Sequence, residues 1–201
     1  MKKIIYTCLF GKYDLYEPKM KTYDWKYICF TDQNIKSNNW EIIRIDTNDQ
    51  RKKSREIKIN SHKFLDYDMC LYIDCKFKPK VDLNIFSENL KSDLCLMRHN
   101  KRNCIYDEGL FCIQKGKDSK DIILKQLQYY RENGMPQHFG LYAPGIMLKR
   151  NTKEVNNFME LWYDQVQQFS YRDIISFSYI LWKNPIKINT LPFKETYGIF
   201  K

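Results

Sequence analysis

Met69-Cys70-Leu71-Tyr72-Ile73-Asp74-Cys75-Lys76 is the stretch on which the fold turns. Five uncharged, mostly apolar residues run straight into a carboxylate and then an ammonium. A short continuous apolar run reads as a strand buried on both faces, which is the habit of parallel sheets covered by helices. Asp74 then marks the strand's carboxyl end. A carboxylate emerging from such a strand is expensive without a partner.

Similar runs flank it. Upstream, Lys3 to Phe10 reads as a first strand ending at Gly11, Lys26 to Phe30 as a second stopped by Thr31-Asp32, and Trp40 to Ile45 as a third. A helix is expected from Arg51 to Phe64, with Asp49 as its cap. Downstream, Leu94 to Met97 is a fifth strand ending at Arg98-His99. The second half carries helical periodicity over Asp118–Glu132, Lys153–Gln168 and Arg172–Trp182, with a strand region at Leu141–Leu148. Alternating strands and helices predict an α/β fold of Rossmann-like type with a mostly parallel central sheet. No linker or repeat divides the chain, so residues 1–201 read as one domain.

Composition narrows the function. Apolar residues at 43% and charged residues at 29% belong to a globular chain, and 7 Gly and 6 Pro exclude collagenous or Pro-rich disordered types. No uncharged apolar run reaches the roughly 18 residues that a membrane span needs. Lys2-Lys3 before Ile4–Phe10 imitates a leader peptide, but the run is short and lacks a small-residue cleavage site. The chain is therefore expected to be cytoplasmic. Seven cysteines, an odd number with no C-x-x-C pair, agree with reduced thiols. The net charge of +10 points either to an anionic partner or to simple compositional bias.

The strand ends should share one edge, where open α/β sheets bind ligands. Arg51, Arg55, Lys58 and His62 recur at helical spacing and would place three cations and an imidazole on one face. That face either clamps a diphosphate or is solvated, with Glu56 and Asp66 partly offsetting it. Neither G-x-G-x-x-G nor G-x-x-x-x-G-K-[ST] occurs, which disfavours a kinase or a dinucleotide dehydrogenase. Asp74 is a candidate ligand for Mn²⁺ or Mg²⁺ held by substrate phosphates, or simply caps a turn. The residue two positions on is Lys76, whose ammonium can neutralise a leaving diphosphate without a metal. His99, Arg102 and Glu108 lie in a dense polar stretch that binds sugar or phosphate or leads, as a surface loop, into a helix. Asp173, after Arg172, sits at a helix start, where a carboxylate is electrostatically favoured whether or not it does chemistry.

Taken in order, several blocks resemble the TOD/MUCI glycosyltransferase-like domain family. They are Tyr6-Thr7 to Phe10-Gly11, Tyr13-Asp14, Glu17-Pro18 and Phe30-Thr31-Asp32; Ser54-Arg55 with Lys58 and His62; Tyr72 to Lys76; and Lys101 to Glu108. Gln126, Tyr130-Arg131, Gly134-Met135-Pro136, Gly140-Leu141, Trp162, Arg172-Asp173 and Ser176-Phe177 continue the series. The resemblance implies a GT-A-like fold, with residues 1–100 as a nucleotide-binding half and 101–201 as an acceptor-side half. It implies sugar transfer from a nucleotide-diphosphate donor to a hydroxyl of a glycan or lipid-linked acceptor. By the same resemblance Thr7, Phe10 and Asp32 would line the nucleoside pocket, and Arg55, Lys58 and His62 would face the diphosphate. Asp74 and Lys76 would stand where a D-x-D motif holds metal. Asp173 would be the catalytic residue beside the sugar, and His99, Arg102, Glu108 and Arg172 would serve the sugar and acceptor. The family pattern has Gln after that Asp, where this chain has Ile174, which removes an amide beside the sugar. Basic residues outside the pocket would allow peripheral contact with anionic lipid. The competing readings are a sugar-phosphate nucleotidyltransferase, a nucleic-acid-binding domain and an inactive relative, although no nucleic-acid motif is visible.

Overall fold

Alternating apolar runs make the sheet, and amphipathic helices cover it. The computed structural model describes residues 1–88, 91–191 and 193–200. The elements in chain order are β1 (Lys3–Leu9), β2 (Trp25–Thr31), β3 (Glu41–Arg44), α1 (Gln50–Ile59), β4 (Met69–Ile73), α2 (Asn84–Glu88) and β5 (Leu94–Arg98). There follow α3 (Ile105–Gln114), α4 (Lys120–Glu132), β6 (Tyr142–Arg150), α5 (Lys153–Gln168), α6 (Asp173–Lys183), β7 (Ile188–Leu191) and α7 (Phe193–Phe200).

The seven strands lie in the order β3-β2-β1-β4-β6-β5-β7. All neighbours are parallel except β6, which runs antiparallel to both β4 and β5. The α/β fold and the mostly parallel sheet are as expected. Strand order reverses direction at β1, between β2 and β4, and that reversal opens a crevice at the strands' carboxyl ends.

Strand alternation divides the core. On one face Tyr6, Cys8, Phe10 and Tyr72 pack with Ile57, Trp162 and Phe177 of α1, α5 and α6. On the other, Ile5, Leu9, Leu71 and Ile73 pack with Trp25, Trp40 and Phe200.

Several boundaries differ from the sequence expectation. The helix expected over Arg51–Phe64 ends at Ile59, and Ser61–Lys63 form a 3₁₀ turn. Its N-terminus is capped by Asp49 as expected, the carboxylate accepting from Lys52 N at 3.0 Å. Its C-terminus stops because buried groups capture the last carbonyls. Tyr6 Oη donates to Lys58 O (2.6 Å), and Lys149 Nζ donates to Lys58 O (3.1 Å) and Ile59 O (3.0 Å). The helix expected from Asp118 starts at Lys120 after an extended Ser119. The polar stretch after β5 does lead into a helix, α3. The pair β7 and α7 was not foreseen, because Ile-Asn-Thr-Leu is half exposed and shows no clean alternation.

Candidate active site

A cavity of about 760 Å³ sits at the carboxyl ends of β1 and β4. That size suits a small organic ligand. Its wall contains six cations, Lys12, Arg51, Arg55, Lys76, Lys117 and Arg172, and one carboxylate, Asp74. A depression of similar size, about 690 Å³, lies at the opposite edge of the sheet beside Lys2, Trp25 and Phe64. It contains none of the site candidates, and open α/β sheets do not place their ligands at that edge.

Behind the wall, α1 and α6 meet through ions. Lys58 is 3% exposed and Asp173 4%. Lys58 Nζ donates to Asp173 Oδ2 at 2.5 Å, and Arg55 Nε lies 3.4 Å from the same oxygen. Burial pushes the Asp173 carboxyl up, but Lys58, Arg55 and Arg172 outweigh it and hold the group well below the usual carboxylate range. Burial likewise opposes the Arg55 charge, and Asp173 and Asp74 more than offset it, so its pKa is raised. Trp162 Nε1 donates to Asp173 O at 3.0 Å and fixes the first turn of α6.

Asp74 closes the floor. Its Oδ1 accepts from Tyr72 Oη at 3.0 Å and lies 4.0 Å from Lys58 Nζ, while its Oδ2 lies 3.7 Å from Lys76 Nζ. Gly145 makes room for it: a Cβ there would stand 2.8 Å from Asp74 Oδ2. A divalent cation fits this donor set poorly. Hard metals want several oxygens, and here one carboxylate has an ammonium beside each oxygen.

One end of the crevice is built from the β1 exit. Phe10 lines the cavity. Asp32 stands behind it, accepting from Gly11 N at 3.0 Å and from Gln50 Nε2. Thr7 does not line the cavity, which corrects its assignment to the nucleoside pocket. Thr7 and Phe10 differ by three residues and so point to opposite faces of a strand. Thr7 is buried with the Ile5 and Leu9 side, and Cys8 takes the cavity position.

His62 is also separated from the cations. Because α1 ends at Ile59, the 3₁₀ turn swings His62 onto α5, where its Nε2 lies 3.2 Å from Glu160 Oε1. Burial lowers its pKa despite Glu160.

His99, Arg102 and Glu108 form one cluster. Arg102 Nε donates to buried Glu108 Oε2 at 2.6 Å. His99 Nδ1 accepts from Arg102 N at 3.0 Å, and burial lowers its pKa. Cys112 Sγ donates to Glu108 Oε1 at 3.5 Å, and Arg172 reaches Cys112 as well. A polar chain therefore runs from Arg102 to the cavity wall at Arg172.

Sequence reasoning missed two residues. Tyr171 joins three segments: its hydroxyl accepts from Arg51 Nη1 (2.9 Å) and donates to Lys117 O, and its carbonyl accepts from Arg55 Nε (3.2 Å). Lys149 is fully buried in the sheet centre. A Lys that directly follows the apolar run Ile146-Met147-Leu148, ahead of Arg150, was its visible signal.

The TOD1/MUCI70, glycosyltransferase-like domain family model matches residues 1–196. The chain belongs to this family. A curated relative, "Probable hexosyltransferase MUCI70" of Arabidopsis thaliana, is 26% identical over 174 residues. That match takes in 79% of this chain but only 30% of the relative. Among solved structures, mouse xyloside xylosyltransferase 1 in its apo form aligns with a TM-score of 0.53 at 10% identity, covering 96% of this chain and 85% of that one. The apo WbbM bifunctional glycosyltransferase aligns at 0.52 with 11% identity, covering 96% and 39%. At these identities the TOD1/MUCI70 domain shares their GT-A-like fold. Among the described residues, no helix of the TOD1/MUCI70 domain is long and apolar enough to cross a membrane.

Proposed function

We propose that the chain is a glycosyltransferase that takes a sugar from a nucleotide-diphosphate donor and passes it to a hydroxyl of a glycan acceptor. One observation carries this beyond the family: six cations and a single carboxylate converge on the crevice at the β1/β4 switch point. A diphosphate supplies the missing negative charge. Arg55 and Arg51 offer forked donors, and Lys76 a point charge at the leaving group. Lys76 takes the place of a metal in this reading, because Asp74 is flanked by ammonium groups. Residues 1–100 would form the donor side. The Arg102–Glu108 cluster and Arg172, from the second half, would face sugar and acceptor.

Asp173 is an electrostatic and positioning group in this scheme and not a general base. A base needs a pKa near the working pH, and Lys58 and Arg55 hold this carboxyl far below it. Both cations converge on Oδ2, and Asp173, which lies behind the cavity wall, acts through Arg55, the cation it holds at that wall. The hexosyl transfer named for the plant relative sets the first sugars to test.

The test is a thermal-shift panel of UDP, GDP, CMP and ADP with their common sugar conjugates, each with Mn²⁺ and with chelator. A ligand at 100 times its Kd stabilises by about 2.7 kcal/mol. Stabilisation by one nucleotide diphosphate, lost in Arg55→Ala and Lys76→Ala and kept in chelator, supports the reading. No response to any nucleotide overturns it; salt-sensitive binding to generic nucleic acid would then favour that partner.

A further inference from the structure

Cys104, Asp107 and His138 form a cluster outside the donor cavity, and none of the three lines it. Cys104 is the N-cap residue of α3, and Asp107 follows in the first turn of the same helix. His138 comes from the loop between α4 and β6. One ligand atom from each residue lies within 4.8 Å of the others, with Cys104 buried and the other two exposed. We propose that these three side chains form a zinc-type metal site.

The donor set selects the metal. One sulfur, one imidazole nitrogen and one carboxylate oxygen are a borderline-soft combination suited to Zn²⁺ and foreign to Mg²⁺ or Ca²⁺, which prefer oxygen alone. Three protein ligands of a tetrahedron leave the fourth position to water, and the two exposed ligands face solvent. Neighbouring ligand atoms around zinc stand about 3.5 Å apart, so small rotamer adjustments close the group. The N-terminal dipole of α3 favours negatively charged ligands at this position.

His138 is prepared for ligation. Its Nδ1 lies 2.9 Å from Asn103 Oδ1. A neutral ring donating there keeps its lone pair on Nε2, the arrangement that outer partners impose on metal-binding histidines. Among the described residues His138 is the non-glycine with left-handed backbone, φ 58°. That conformation disfavours L-residues, and it is held here by a loop whose Gly140 N donates to Asn103 O at 3.0 Å. A bound ion would staple the segment carrying His99, Arg102 and Glu108 to the 134–140 loop. It is therefore a structural brace on the second half of the chain, separate from the Asp74 position.

The test uses the whole chain, stripped of metal and titrated with Co²⁺. A thiolate-to-cobalt charge-transfer band with tetrahedral d–d bands is expected, displaced by Zn²⁺, together with a rise in Tm on Zn²⁺ binding. Cys104→Ser should abolish the charge-transfer band, and serine is itself a favoured N-cap, so the helix keeps its start. His138→Ala, at an exposed position, should weaken Zn²⁺ binding by roughly tenfold or more. Cys75→Ser, at the donor cavity, should leave the band intact. Absence of the band in the parent chain, its persistence in Cys104→Ser, or its loss in Cys75→Ser overturns the proposal.

Discussion

The Lys58 ammonium lies 2.5 Å from Asp173 Oδ2, the two residues standing 115 positions apart in the chain and both groups buried. This contact joins α1 to α6 beneath the candidate diphosphate site. Buried ion pairs contribute little net stability when intact, but removing one partner strands the other charge.

Lys58→Met should therefore destabilise the fold by about 3 kcal/mol, the lower end of the usual range because Arg55 still neutralises Asp173. Lys58→Met combined with Asp173→Leu should recover part of that loss. Urea denaturation of the two single variants and the double variant measures the coupling.

Acid should act through the same contact. The folded Asp173 carboxyl is held below its unfolded value of 3.8. Its stabilisation is present above the unfolded value and is lost as pH falls through the folded one. Urea midpoints taken from neutral pH down to about pH 2 should fall more steeply in the parent chain than in Asp173→Asn. Parallel curves would show that the pair does not govern acid sensitivity.

Lys149 acts in the same direction at the alkaline end. Burial lowers its pKa from 10.5 to about 8. Between those values the unfolded state still carries a proton that the folded state has released, so stability rises with pH across the window. The rise attributable to this group is about 3 kcal/mol. The stability difference between the parent chain and Lys149→Met should grow in the parent's favour from pH 8 to pH 10.5, as read from denaturation curves at each pH.

Gly145→Ala tests placement of Asp74 without touching its charge. The new Cβ would stand 2.8 Å from Asp74 Oδ2, so the carboxylate must move. Loss of kcat/KM on the order of 10- to 100-fold is expected, with stability changed by less than about 1 kcal/mol. Steady-state kinetics beside a thermal melt separates the two effects.

Much of this site could be read from the chain. Asp74 and Lys76 stand at the end of the most apolar strand, and Arg51 and Arg55 share one face of α1 because both fall within the helix, four residues apart. His62 failed because the reading carried helical spacing past Ile59. Tyr6 and Lys149, which capture the final carbonyls of α1, are remote in sequence, so no local pattern marks the helix end. Thr7 failed differently: strand alternation already placed it opposite Phe10, and that signal was legible.

The linear chain alone sets the α/β class, the strand ends close to Gly11 and Asp74, and the lack of a phosphate-binding glycine loop. These depend on apolar periodicity and short motifs, which act over a few residues. The pairing of Lys58 with Asp173, the antiparallel run of β6 beside β4, and the joining of Arg51, Arg55 and Lys117 by Tyr171 are visible only in the folded arrangement. Each joins segments that are distant in the chain. Such contacts form only as the strands pair and the helices pack on them, and burial at Lys58 and Asp173 makes an unpaired charge too costly to leave alone.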